Sequence, residues 1–456
     1  MPQSWLTLSG FLSFLIIFSC SENSKTTQAD SNSEIDSVPN KIQATVNLEN
    51  WRSGHLVEDN KQAWFIPENL KQDDSVVCIL FFDPQGNGMK PIKLYQKIAE
   101  MHGCILIGSK ISKNGMGLNE TKNIADQLLK DISNYSGFKR LAFYTAGFSG
   151  GAKVALHAGN NFSAVKGVIY TGAAALDQSP LKSLYGFAGN MDMNMADLVQ
   201  FDAALPATVP HFLKIWNGKH EWPSSDVFTS AFEWIKIREN GVSGGVEKRS
   251  TDLQFQARRT RNLLEKESLL LEASFLADDL GRKDLEIEDL EILQTRPAFI
   301  EIKKAVNQEL ENELAMKETY SIAFFDKDIS WWRHEIADLK AHNKHKSSNL
   351  QDRLLGFFSL ASYSLANKAL QEQDENHAEK ILEIYRLTEP ENFEQAYLRA
   401  VLAARRKQNT LVTESLSEAV KLGFNDRTRI SNQAEFKEFL ENQAFKEILE
   451  IMKQGL

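Results

Sequence analysis

Between residues 76 and 218 the chain repeats one pattern that leaves few folds open to it. Short apolar runs alternate with amphipathic stretches such as PIKLYQKIAEMHG and LNETKNIADQLLKDISNYSG. The runs are VVCILFFD (76–83), CILIGS (104–109), RLAFYTAGF (140–148), AVKGVIYTG (164–172), LYGFAG (184–189) and HFLKIWNG (211–218). Several are apolar at consecutive positions, the mark of strands buried on both faces. Strands that alternate with helices need crossovers, so the expected fold is α/β, a mostly parallel sheet flanked by helices. QATVNLE and AWFIPE come before the series and read as an opening pair of strands, which places this domain at residues 42–242.

After SGG at 243–245 the character changes. Strand signals become sparse and Leu, Glu, Lys and Ala dominate. RRTRNLLEKESLLLEASFLADDLG carries leucines at helical spacing and closes on a glycine cap. Residues 246–345 are expected to be helical, of no type that the sequence specifies. From 346 to 456, LLGFFSLASYSLANKALQEQDENHAEKILEIYRLTEPEN reads as helix, turn, helix and a proline break. AYLRAVLAARRKQNTLVTESLSEAVKLGF repeats that plan at a period in the mid-thirties. With small residues at Ala400 and Ala403 and with Leu416 and Ala419 on the second helix, the spacing resembles tetratricopeptide repeats. Generic helical hairpins are the other reading, since that family's aromatic and glycine landmarks are mostly missing. Either way the region is expected to be all-α and to offer a surface for a protein partner.

The first residues read as a targeting segment. WLTLSGFLSFLIIF (5–18) is too short for an ordinary membrane span and fits the core of a signal peptide. The following Ile17-Phe18-Ser19-Cys20 resembles a bacterial lipobox, which implies a signal peptide over 1–19 and lipid attachment at Cys20. A plain cleaved secretory signal and an uncleaved anchor are the alternatives. The polar tract over 20–41 is too poor in apolar residues to fold and reads as a flexible linker. The expected location is a bacterial cell envelope, membrane-anchored through lipid.

Acidic residues outnumber basic ones, 61 to 52, for a net charge of -9. No basic cluster is dense enough to track a phosphate backbone, so nucleic acid is not an expected partner. Besides Cys20 the chain has Cys78 and Cys104, both in apolar strand-like runs. They read as buried thiols packing as small hydrophobes, with a disulfide as the alternative in an exported protein. No Cys/His spacing suits a structural zinc site.

The chemistry centres on AGFSGGAKV. Gly147-Phe148-Ser149-Gly150-Gly151 is a G-x-S-x-G sequence that follows a predicted strand and opens a predicted helix. A serine on so tight a turn projects its hydroxyl above the sheet, and side chains two residues before and after it would collide. A structural glycine-rich turn is the bland alternative. In this setting the motif resembles that of the α/β-hydrolase family, over about residues 70–240, and the family's order of Ser, then acid, then His guides the search for partners.

His220, in NGKHEWP, follows the last predicted strand, where the family holds its histidine. Its imidazole suits a base working near neutral pH. GKHEWP is similar to a subgroup related to polyester depolymerases and feruloyl esterases. His211, His102 and His157 read as surface or packing residues. Asp192, three residues past the end of LYGFAG, matches the family's acid loop, where a carboxylate orients the imidazole. Asp177 is the alternative acid, and a cap or turn is the bland reading of Asp192.

An oxyanion hole needs two backbone donors. Gly150 offers one, and the other is expected from Asp83-Pro84-Gln85-Gly86-Asn87-Gly88, where many family members have His-Gly in place of Asp83-Pro84. Pro84 has no N–H, leaving Gln85, with Gly86 as the next choice. Trp216 and Trp222 flank His220 and read either as a site lining or as core packing. The short connection between VIYTG and LYGFAG implies a small or open acyl site.

The resemblance thus implies a serine esterase, a carboxylic ester hydrolase working through an acyl-enzyme on a small ester substrate, with no metal or organic cofactor. A peptidase or thioesterase with the same triad, and an inactive binding or scaffold lipoprotein, are the alternatives.

Overall fold

The computed structural model describes residues from Gly54 to Lys453, apart from position 55, position 69 and the stretches 71–74, 135–139, 176–181, 241–244, 283–286 and 343–348. The signal segment, Cys20, the linker and the expected strand QATVNLE therefore lie outside the described residues, as does Asp177.

Eight strands form one sheet: β1 (Leu56–Glu58), β2 (Gln62–Phe65), β3 (Ser75–Phe82), β4 (Cys104–Ser109), β5 (Arg140–Phe148), β6 (Val165–Thr171), β7 (Ser183–Gly189) and β8 (His211–Trp216). Their order is β1-β2-β4-β3-β5-β6-β7-β8. β1 and β2 pair antiparallel, as do β2 and β4, and every pairing from β4 through β8 is parallel. This is the mostly parallel, helix-flanked sheet that the sequence implied. Each of the six apolar runs becomes a strand, and β1 is the addition. It has three residues at the sheet's edge, too short to announce itself.

The alternation along β3 shows why the sheet is covered on both sides. Val77, Ile79 and Phe81 point to one face, where they meet Ile92, Tyr95 and Ile98 of α1 (Met89–His102) and Phe228, Phe232 and Trp234 of α5 (Ser225–Asn240). Val76, Cys78, Leu80 and Phe82 point to the other, against α2 (Leu118–Ser133), α3 (Gly150–Asn161) and α4 (Met195–Ala203). Cys78 and Cys104 fall on these opposite faces, both as free thiols. Burial pushes the Cys104 thiol up to about 12 and the Cys78 thiol higher still, which leaves both protonated and unreactive.

The sheet-containing unit does not end where the composition changes. It runs to Glu311, and a second compact unit begins at Asn312. This corrects the placement of a boundary at 242–246. Helices α6 (Gly245–Arg259), α7 (Leu263–Asp279) and α8 (Glu288–Gln294) complete the first face of the sheet: Leu253, Leu270, Phe275, Leu276 and Leu293 join the same core as Tyr185, Phe212 and Trp234. Charge fixes the docking. The Asp279 side chain is buried and accepts hydrogen bonds from Arg238, Ser183 and the Trp234 indole, the last at 2.9 Å. Lys214 of β8 pairs with buried Glu272 of α7 at 3.0 Å. Polar groups buried this deeply need partners, and these have them.

The division between the units falls within α9 (Pro297–Asp326). The second unit continues with α10 (Ile329–His342), α11 (Leu350–Gln371), α12 (Glu375–Thr388), α13 (Phe393–Arg405), α14 (Asn409–Lys421), α15 (Arg427–Asn432), a 3₁₀ turn (Ala434–Phe439) and α16 (Gln443–Lys453). α11 packs on α12 and α13 on α14 as hairpins around one core. The plan recurs every 34 residues, since Glu375 and Asn409 open the second helices and Gln373 and Lys407, just before them, both take positive φ, 62° and 55°. Ala400 and Ala403 of α13 and Leu416 and Ala419 of α14 are all buried in this core. No helix among the described residues is long and apolar enough to cross a membrane.

Candidate functional site

β5 ends at Phe148, α3 begins at Gly150, and Ser149 alone makes the turn. Its φ of 52° and ψ of -122° are a conformation that L-residues rarely adopt. The Ser149 amide donates to Thr171 O at 2.9 Å, and Ala152 N donates back to Ser149 O at 3.0 Å, so the strained residue is held from both sides. The flanking glycines are a steric requirement. A Cβ on Gly147 would fall 2.1 Å from Gly151 O, and one on Gly151 would fall 2.0 Å from Phe82 O. Strand β5, helix α3 and strand β3 converge too closely for any side chain at either position.

The loop after β7 carries Asp192, and the loop after β8 carries His220. Two backbone bonds join these loops, Asn190 N to Trp216 O at 2.8 Å and Met191 N to Gly218 O at 2.9 Å. His220 Nδ1 then lies 3.0 Å from both carboxylate oxygens of Asp192, and His220 Nε2 lies 3.0 Å from Ser149 Oγ. Asp192 is 1% exposed and also accepts from Asn194 N at 2.8 Å. The Asn194 carboxamide donates in turn to Gly172 O at 2.8 Å, which anchors the acid loop beside the serine turn. His220 is 20% exposed, and its ring leans on Phe148 with centroids 4.7 Å apart. Three residues distant in sequence are thus brought into one unbroken relay.

In chemical terms the relay can move a proton. Nδ1–H donating to Asp192 leaves Nε2 as the acceptor that faces the serine hydroxyl. A hydroxyl whose proton can pass to such a base is an activated nucleophile.

His211, His102 and His157 stay apart from this relay. His211 Nδ1 lies 2.8 Å from Val209 O, and His102 packs against Phe232. His157 lies on α3 beside Asn161. Trp222 is core packing and not a site wall: it is buried against Phe81, Tyr95 and Phe148.

The loop after β3 departs from expectation. Asp83 is buried, and its Oδ1 accepts from Gln85 N at 3.0 Å and from Asn87 N at 3.4 Å. Gly86 N donates to the Asp83 carbonyl at 3.1 Å. Both backbone donors assigned to this loop are therefore turned back onto Asp83, and Gln85 does not present a free N–H to an oxyanion. Gly150 is the first residue of α3, a position whose N–H has no acceptor within the helix. The Asp83 Oδ2 accepts from the Trp222 indole at 2.9 Å, which ties this loop to the one that bears His220. The sequence carried a signal for the change, an acidic residue where the family it resembles has histidine, but the capture of the Gln85 amide depends on how the loop turns back on Asp83.

No protein-family model matches the chain, and no curated protein matches it. Solved structures resemble it over part of its length. An S-formylglutathione hydrolase of Staphylococcus aureus is 15% identical, over 39% of this chain and 90% of that one, with a TM-score of 0.30. A fluorophosphonate-binding serine hydrolase of the same organism is 13% identical, over 41% and 96%, with a TM-score of 0.31. An esterase of the archaeon Pyrobaculum calidifontis is 11% identical, over 42% and 86%, with a TM-score of 0.35.

Proposed function

We propose that this chain is a serine hydrolase that cleaves carboxylic esters through an acyl-enzyme. The observation that carries the reading is the relay at the strained turn, with Ser149 Oγ 3.0 Å from His220 Nε2 and His220 Nδ1 3.0 Å from Asp192. Ser149 Oγ attacks the ester carbonyl carbon and gives its proton to His220 Nε2, while the carbonyl π electrons move onto oxygen. Asp192 holds the ring and stabilises its cationic form. Collapse of the tetrahedral species expels the alcohol, which takes the proton from His220. Water then repeats the sequence on the acyl-enzyme and frees the acid.

A fluorophosphonate reporter should label the wild-type protein and not Ser149→Ala, and the wild type should hydrolyse short-chain aryl esters. An unlabelled wild type that turns over no ester would refute the proposal. A second reading, an inactive binding protein on the same fold, draws on the engagement of the Gln85 and Gly86 amides by Asp83. The same labelling decides between them.

Export and lipid attachment at Cys20 are part of the proposal, supported by the apolar run at 5–18 and the lipobox-like Ile17-Phe18-Ser19-Cys20. The helical hairpins over 350–421 are proposed as a contact surface for a protein partner, because stacked hairpins of this period present extended faces.

A further inference from the structure

We propose that the side-chain amide of Asn114 supplies the second oxyanion donor, in place of the backbone N–H that Asp83 has withdrawn. The inference rests on the hydrolase reading and adds one catalytic residue to it. A carbonyl oxygen that becomes an anion beside Gly150 N–H needs another donor within hydrogen-bond reach. In the loop after β3 the Gln85 and Gly86 amides are engaged by Asp83, and Pro84 has none.

The neighbouring loop, between β4 and α2, fills the gap. Asn114 N donates to Pro84 O at 2.8 Å, and Lys113 forms an isolated bridge with Gln85, so this loop is laid directly along the first. The Asn114 side chain then reaches the serine turn. A methyl group added at Gly150 would fall 1.8 Å from Asn114 Oδ1, 2.8 Å from Cγ and 3.3 Å from Nδ2. The carboxamide therefore lies against the Cα whose own nitrogen, one bond away, bears the Gly150 N–H.

Asn114 is exposed, and among the described residues its side chain has no hydrogen-bond partner, so it is open to a substrate. A half-turn about Cβ–Cγ exchanges its two ends, and an anion held by Gly150 N–H selects the donor end. This also gives Gly150 a reason of its own. The elbow needs glycine on steric grounds at 147 and 151, whereas at 150 the space is taken by Asn114.

The test uses the full chain and a matched pair of substrates, p-nitrophenyl acetate and its thionoacetate, whose developing anion is sulfur and accepts hydrogen bonds weakly. Asn114→Ala should lower kcat on the oxygen ester about 100- to 1,000-fold with KM little changed, the loss usual for one oxyanion donor. The same variant should lose far less on the thionoester, so that the oxygen-to-sulfur rate ratio shrinks. The near-isosteric Asn114→Asp, which keeps the shape and removes the donor, should lose at least as much, and an unchanged thermal transition would show that neither variant has misfolded. Wild-type kcat in both variants would overturn the assignment of Asn114 and leave the triad standing, as would a lower kcat with the rate ratio unchanged. A wild type that neither hydrolyses esters nor takes fluorophosphonate at Ser149 would overturn the hydrolase reading and this proposal with it.

Discussion

Replacing Ser149 by glycine should remove activity and make the protein more stable, whereas alanine should remove activity alone. The cause is the backbone. At φ 52° and ψ -122° any residue with a Cβ is strained, at a cost of about 1–3 kcal/mol. Alanine keeps the Cβ and hence the strain. Glycine sheds it but adds about 0.5–1 kcal/mol of chain entropy to the unfolded state. Both variants lose the hydroxyl contact with His220 equally, so the comparison of glycine with alanine isolates the turn. The net gain for glycine is about 1 kcal/mol, which for a unit of this size raises its midpoint by roughly 2–4 °C. Thermal unfolding of the three proteins, followed by calorimetry under one set of conditions, measures it. A glycine variant no more stable than the alanine variant would refute the claim that the turn stores strain.

Asp192→Asn should lower kcat about 1,000- to 10,000-fold through the wrong imidazole tautomer, and His220→Ala should lose as much; an Asp192→Asn protein at the wild-type rate would move the acid elsewhere, with Asp177→Asn the next variant to assay. A chain ending at residue 244 should be insoluble or unfolded by circular dichroism, because it strips Leu253, Leu270, Phe275, Leu276 and Leu293 from the core, about 1.5–3 kcal/mol each, against a total stability of about 5–15. A chain ending at Glu311 should fold and keep its rate on a small aryl ester, since that position closes the compact unit. Cys20→Ser should abolish incorporation of labelled fatty acid and release the protein from membranes in a bacterial host, and continued labelling would dismiss the lipobox.

The sequence was most legible where local chemistry allows a single answer. The six short runs, several of them apolar at consecutive positions, read as strands, and Gly147 and Gly151 announced a turn that admits no side chain. The positions of Asp192 and His220 relative to those strands were enough to nominate both. The sequence was least legible where a residue's role depends on a partner far along the chain. The periodicity of residues 246–294 is that of any amphipathic helix. Nothing in it tells that Glu272 meets Lys214, or that Asp279 meets Arg238, Ser183 and Trp234. A composition shift at 243–245 therefore reads as a domain boundary, although the helices beyond it join the same core.

Asp83 shows how one buried carboxylate spreads its influence through a site. A carboxylate at the end of β3 is buried, and burial obliges it to collect donors. The nearest are the amides of its own loop, Gln85 and Asn87, and the indole of Trp222, two residues past His220. The result is a strut between the loop after β3 and the loop of the histidine, which are distant in sequence but must keep a fixed spacing if Nε2 is to stay 3.0 Å from Ser149 Oγ. The rigidity comes at the expense of the donor that this loop would otherwise aim at the substrate. An active enzyme with this loop thus needs a donor from outside it. The neighbouring loop after β4 is the one that bonds to Pro84 and Gln85 and also reaches Gly150. Asp83 and Asn114 are in this sense one arrangement: the first holds the histidine loop, and the second restores what that hold removes.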